Sequence, residues 1–565
     1  MNDSKVSSKK EFDFTKLWIT LFILFDLFLA LGYWILKNTE VATFLVRHPV
    51  VILPYLIDRY GIFRILLAIL IIIGFIPFII ALPSTNKSKE SRVIRGARII
   101  GNDKLREIMM KTCILEIDEQ LKIASRKQKG SKLQAIVRET LARPKRKARA
   151  KKIYRQEKDT YIQIGGIPMP RQLENRGFFF FGDPGTGKSQ SIKQALSVIK
   201  KRSDFRGIIF DRNGEMLKQF YDPSKDLIYN PFDRRSADWC HVYEKGVRPE
   251  TMAEALIPPP LPGETPYFKH AARVVVGEIF RKAKTNGQVY EMITRSDEEV
   301  KSDLQGTLAA RYVAEVKLAS SVLSTAINYC KFYLYVGKPK SNKISFYNWA
   351  YHDDPRWIFV TLKENDAPVL KPLHSMLFEL MLKGLLSNQN RKIKTAIIID
   401  ELGALNKLDS LKRLLNESRK FLGCPFLGTQ THAQIAEIYG DKETSILLQG
   451  TLVKLMLRCS DPETADKMAV LIGKREVLRY KTNQSKTAAT FRSPASRTKT
   501  IVEDYNESYA VLPADIGNRE DMEGYLKTKK FTAHVQVKYH HFRELHPDFI
   551  DINPSENEKK LDLDK

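Results

Sequence analysis

Arg176-Gly177-Phe178-Phe179-Phe180-Phe181 runs straight into Gly182-Asp183-Pro184-Gly185-Thr186-Gly187-Lys188-Ser189. The first half is a short apolar run, the mark of a buried strand. The second half is G-x-x-x-x-G-K-S without a gap. Three glycines and a proline let such a loop wrap backbone N–H groups around phosphate oxygens. Lys188 is expected to reach the β- and γ-phosphates, and the Ser189 hydroxyl to ligate Mg²⁺. A helix expected from Gln190 to Lys201 points its N-terminal dipole at the same anions. Gly182 through Gln190 are therefore the candidate nucleotide-binding residues.

The other half of such a site is an acidic group ending a second buried strand. Lys394-Thr395-Ala396-Ile397-Ile398-Ile399 followed by Asp400-Glu401 supplies it. Asp400 is expected to hold magnesium through water, and Glu401 to polarise the attacking water. Leu408 to Phe421 then reads as a helix carrying Arg413, Arg419 and Lys420. A short strand from Cys424 to Gly428 leads to Thr429-Gln430. A polar side chain just past that strand can sense a γ-phosphate, and an arginine on the helix can reach phosphate in the same or an adjacent subunit.

Away from this centre, strand signals at Gly207–Phe210, Arg356–Val360 and Leu452–Leu457 alternate with helical ones, which predicts a mainly parallel α/β sheet. The nucleotide-binding domain is assigned to residues 154–243 and 344–554. Between them, strand signals fade. Residues 244–343 read as an all-α insertion, with helices such as Tyr267–Lys284 and Glu298–Val316 behind a rigid Pro258–Pro262 entry. Arg479 to Lys499 is rich in Ser, Thr and Lys without periodicity and reads as an exposed loop. Residues 555–565 form a short charged tail, and no internal repeat is present.

Apolar residues make up 43% of the 565 and charged residues 28%, which excludes global disorder. The balance of 92 basic to 65 acidic residues, +27, calls for a polyanionic partner such as nucleic acid or an anionic membrane surface. Five scattered cysteines with no C-x-x-C pair indicate neither a zinc site nor a disulfide framework. The ten histidines show no H-E-x-x-H spacing, and no L-S-G-G-Q signature of an ABC transporter is present.

Residues 1–98 read as a membrane anchor. Leu17–Leu36 is apolar except for Thr20, Gly32 and Asp26, and Ile65–Leu82 carries no charge. Each is close to the roughly 20 residues that cross a bilayer. Trp18 and Trp34 flank the first span, which lacks a small-residue cleavage site. Asp26 costs about 3 kcal/mol at mid-span. It either faces a neighbouring helix in an oligomer or is tolerated as a protonated carboxyl. Since ATP is cytosolic, both chain ends are expected on the cytoplasmic side.

A basic neck, 99–153, follows. Residues 126–158 hold fourteen Lys or Arg and two Glu, densest from Arg143 to Lys152. Tyr154 is the one aromatic, so a base-stacking platform is not indicated. Phosphate attraction without sequence readout and adsorption to anionic headgroups both follow from such charge, and sequence leaves the two open.

The ordered set of motifs resembles the type IV secretion coupling proteins, most nearly the TraD type of conjugative transfer systems. Besides the two spans, the phosphate loop and Asp400-Glu401, the resemblance is carried by Ile94–Arg98, Phe210–Glu215, Tyr221–Asp226, Asn230–Arg234 with Trp239, Glu417–Phe421, Gly428–Gln430 and Asp551–Pro554. It implies a RecA-like ATPase of the bacterial inner membrane, multi-pass, with its motor in the cytoplasm. Such a motor uses ATP and Mg²⁺, forms a homo-hexamer, and pumps DNA with its attached relaxase toward the secretion channel. The resemblance also implies that Arg419 is an arginine finger and Gln430 a γ-phosphate sensor. Some TraD-type proteins carry a long carboxy-terminal extension that docks DNA-processing partners; here the short tail from Ser555 stands in that place. A nucleotide-gated receptor for secreted proteins and a chromosome-partitioning pump are the competing expectations. The basic balance weighs against the first, and the motifs from 210 to 239 weigh against the second.

Overall fold

The computed structural model describes residues 92–125, 132–260, 264–336, 342–487 and 496–552. The expected spans at 17–36 and 65–82, Asp26 and the 555–565 tail lie outside the described residues. Among the described residues, no helix is long and apolar enough to cross a membrane. Residues 92–98, read from sequence as the end of the anchor, fall within the larger compact unit.

Ten strands make its central sheet. Across it run Ile99–Ile100, Thr532–Gln536, Glu523–Lys527, Val453–Leu457, Phe178–Phe181, Gly423–Thr429, Lys394–Ile399, Phe205–Arg212, Ile358–Leu362 and Leu227–Tyr229. From Val453–Leu457 to Leu227–Tyr229 every pair is parallel. A parallel sheet buried on both faces calls for apolar side chains on both, which is why its strands read as near-continuous apolar runs. Phe179 and Phe181 enter one core while Phe178 and Phe180 enter the other. Ile397 and Ile399 divide from Ile398 in the same way.

Between Asp238–Trp239 and Lys343–Ile344, a short parallel pair, the described segment is helical: Pro249–Leu256, Pro266–Lys282, Asn286–Thr294, Asp297–Asp303 and Val316–Cys330, with 3-10 turns. The helix expected from Glu298 to Val316 is not continuous. Its first turns are capped by Ser296 and Glu299 in a reciprocal box. The chain then turns at Gly306, whose φ of +76° no helix admits.

The expected loop from Arg479 to Lys499 is corrected too, except for 488–495, which lie outside the described residues. Lys474–Thr487 and Ser496–Tyr509 pair antiparallel in one long ribbon, and Arg92–Gly96 adds a third strand at its root. A ribbon leaving the body is defined by its backbone ladder and needs no apolar face, so hydropathy carried no period.

The neck is a helical hairpin, Asn102–Ser125 and Lys132–Glu157. Leu105 and Met109 join the sheet's core, while Cys113, Ile117, Ala150, Tyr154 and Tyr161 form a small core of their own. Arg146 clamps Asp118 across the hairpin with Nε donating at 2.8 Å and Nη2 at 3.3 Å.

Candidate nucleotide site

A parallel sheet collects the ends of its strands on one edge, and loops at the carboxyl ends form the usual crevice for ligands. Phe181, Ile399 and Thr429 all end strands there, so Gly182–Ser189, Asp400-Glu401 and Gln430 are brought to one place. The turn after Phe181 needs positive φ at Gly185 (+81°) and Gly187 (+102°). A Cβ on Gly187 would also lie 2.4 Å from the Met522 sulfur. The helix after it spans Lys188–Ile199.

Lys188 and Glu401, both nearly buried, face each other with Nζ 3.2 Å from Oε2. The Ser189 hydroxyl donates to Asp400 Oδ2 at 2.7 Å. The other oxygen of that carboxylate, Oδ1, is buried without a partner among the described residues. A buried carboxylate oxygen left over beside a hydroxyl is a hard-oxygen donor pair, and it suits Mg²⁺, which takes one or two protein oxygens and fills its remaining positions from phosphate and water. The residues present therefore fit the metal. Gly428 makes the approach of these groups feasible, because a Cβ there would sit 2.1 Å from the Asp400 carbonyl oxygen and 3.3 Å from Lys188 Cδ.

Several residues not singled out from sequence hold the loop. Asp183 accepts from the Ser460 N–H at 2.8 Å and its hydroxyl at 2.7 Å. The Met522 N–H donates to the Thr186 carbonyl at 3.0 Å, tying the loop to the carboxy-terminal strands. Gln190, expected at the phosphates, accepts instead from the His540 N–H through its side-chain oxygen at 3.4 Å. Thr429 donates to Glu401 Oε1 at 3.5 Å. Asp211 is the last residue but one of the strand beside Lys394–Ile399. Burial pushes its pKa up to about 7, with the charge of Asp400 adding to the shift and the Leu217 N–H, 2.7 Å away, opposing it. A carboxylate closing a buried strand was the signal that found Asp400, and it applies equally to Asp211; Met522 carries no such signal.

Arg419 is not brought to this edge. It is exposed in the last turn of Asp409–Phe421, and the neighbouring Ser418 hydroxyl donates to the Asn175 carbonyl at 2.6 Å. Asn175 precedes the strand that leads into the phosphate loop. Arg419 therefore stands at the opposite edge of the sheet, with about 17 Å of strand between Cys424 and Thr429 intervening.

Residues 161–540 match the family model described as the type IV secretion-system coupling protein DNA-binding domain. The chain belongs to this family. It is 30% identical over 433 residues to coupling protein TraD of Escherichia coli (strain K12), an alignment covering 73% of this chain and 59% of TraD. The chain thus spans about 59% of that relative's length. Among coupling-protein structures, the unbound monoclinic form of the conjugative coupling protein TrwBdeltaN70 superposes with a TM-score of 0.63 at 22% identity, covering 82% of this chain and 97% of that one. TrwB in complex with the ATP analogue ADPNP gives 0.64 at 23%, covering 83% and 99%. These two matches establish the α/β fold.

Proposed function

We propose that this coupling-family chain is a membrane-anchored, hexameric ATPase that brings a relaxase–DNA complex to a type IV secretion channel and pumps DNA during conjugation. The observation that carries the reading is the meeting of Lys188 and Ser189 with Glu401 and Asp400 at one sheet edge. The TrwB complexes with ADPNP and with ADP and Mg²⁺ support the same ligands here. Membrane attachment rests on the apolar stretches 17–36 and 65–82 and on the likeness to TraD.

Bound MgATP supplies the phosphoanhydride to be cleaved and the cation that neutralises charge on its leaving oxygens. The chain's own part begins with an exchange of partners. Phosphate competes with Glu401 for the Lys188 ammonium, and the freed Glu401 carboxylate turns to orient and deprotonate water. The Ser189 hydroxyl and Asp400 hold the metal. Gln430, at the end of the strand beside the phosphate loop, reads whether the γ-phosphate is present. Arg419, at the far edge of its own sheet, serves the site of a neighbouring subunit.

The test is ATP hydrolysis by the full chain in lipid nanodiscs, with and without DNA, together with plasmid transfer from cells carrying wild-type or K188A protein. DNA-stimulated turnover, and transfer lost with K188A, are expected. Turnover indifferent to DNA but raised by a secreted protein would replace the pump with a receptor.

A further inference from the structure

The most basic stretch of the chain lies before residue 161, where the match to the family's DNA-binding-domain model begins. Folding converts it from a charged tether into a fixed display. Ala150 and Tyr154 are buried against the first neck helix, and the Arg146–Asp118 clamp, with both side chains only 12% exposed, fixes the helix in register. Nine basic residues lie from Arg143 to Lys158 against one acidic residue, Glu157. Among the described residues, Arg146 alone of the nine pairs with a carboxylate. The other eight are exposed.

We infer that this helix face is a second DNA-binding surface, one that grips the phosphate backbone without reading sequence. This rests on the reading of the chain as a DNA motor. Three observations choose DNA over a lipid surface. First, among the residues whose side chains are described, Ala150, Ile153 and Tyr154 are turned to the partner helix, and from Ala142 to Glu157 the exposed face offers only Ala142, Pro144 and Ala148, so the basic segment presents nothing large to enter a bilayer as an interfacial helix requires. Second, this helix exposes no aromatic: its one aromatic, Tyr154, is buried, so it has neither the Trp or Tyr anchor of a membrane interface nor a base-stacking platform, and phosphate charge is the attraction. Third, stepping about 100° per residue, the seven exposed cations on the helix, from Arg143 to Arg155, cover roughly two thirds of its circumference. A flat headgroup layer meets one side of a helix. Phosphates lining the two walls of a groove about 12 Å wide meet both flanks.

The experiment measures binding of a fluorescent random-sequence oligonucleotide, single-stranded and duplex, to the full chain in phosphatidylcholine nanodiscs over a range of salt. The variant is R143Q/K145Q/K147Q/R149Q/K151Q/K152Q, whose glutamines retain helix propensity. It should bind about tenfold or more weaker at low salt. Its plot of log affinity against log salt should be shallower, by up to about 0.9 for each duplex phosphate that is no longer neutralised. Should this variant melt early, K147Q/K151Q serves, with a slope change of about two. A charge-keeping variant, R143K/K147R/R149K/K151R, should bind like wild type. An unchanged slope overturns the proposal. So does a variant that keeps DNA affinity and loses only adsorption to phosphatidylserine vesicles, which would assign the face to lipid. Absence of DNA binding by the wild-type chain itself would instead sink the motor reading.

Discussion

Replacing Lys188 by alanine removes the cation that Glu401 now holds and that phosphate must take over. Nucleotide binding or turnover should be abolished in K188A. E401Q keeps the carbonyl oxygen and the fit but loses the base, so it should retain bound ATP while hydrolysis collapses. Filter binding and phosphate release separate the two, and normal turnover by E401Q would remove Glu401 from the chemistry. Asp211 gives a third test at this scale. The unfolded chain releases its proton near its ordinary value of 3.8, whereas the folded chain holds it up to about 7. Between those values the unfolded state binds fewer protons, so rising pH erodes stability. D211N carries no such proton and keeps an oxygen for the Leu217 N–H. In denaturant melts of nucleotide-free protein, D211N should gain on wild type between about pH 5 and about pH 8. A difference that does not change with pH would show that Asp211 ionises normally.

The helix Asp409–Phe421 places Arg419 at the sheet edge away from Lys188, and this decides how it is tested. R419A subunits retain Glu401, and E401Q subunits retain Arg419. Each alone should be defective, by about 10³-fold for a lost finger. Mixed rings should recover part of the rate, because some interfaces combine one intact Glu401 with one intact Arg419. No recovery in rings shown to be mixed would assign the arginine to its own subunit or drop it.

Elements also show what sequence can transmit. Phe178–Phe181 and Lys394–Ile399 were legible because strands buried on both faces are dominated by apolar residues, and the turn chemistry after them is specific. Asp400, Glu401, Lys188 and Ser189 followed from the same two strands. The Lys474–Tyr509 ribbon was not legible, since a backbone ladder leaves no trace in hydropathy. Nor was the break at Gly306, because one glycine in a helical pattern does not announce its φ. The clamps from Ser460 and Met522 depend on strands that return from far along the chain, which no local window contains.

At the scale of the whole molecule, the proposed service of Arg419 to a neighbour would make the isolated chain incomplete. ATPase activity per subunit should rise with protein concentration, and DNA should steepen the rise by templating a ring. Rates strictly proportional to concentration across the assembly range, checked by analytical ultracentrifugation, would contradict this. The position of the phosphate-loop strand also bears on biosynthesis. Phe178–Phe181 is flanked by Gly423–Thr429 and Val453–Leu457, and the edge strand Ile99–Ile100 waits for Thr532–Gln536. On the ribosome, four consecutive phenylalanines therefore emerge long before the neighbours that will cover them. Until residue 457 has been translated, the nascent chain carries a sticky segment without its full native shelter. Its yield in the cell should therefore hinge on chaperones that bind exposed aromatic strands during synthesis.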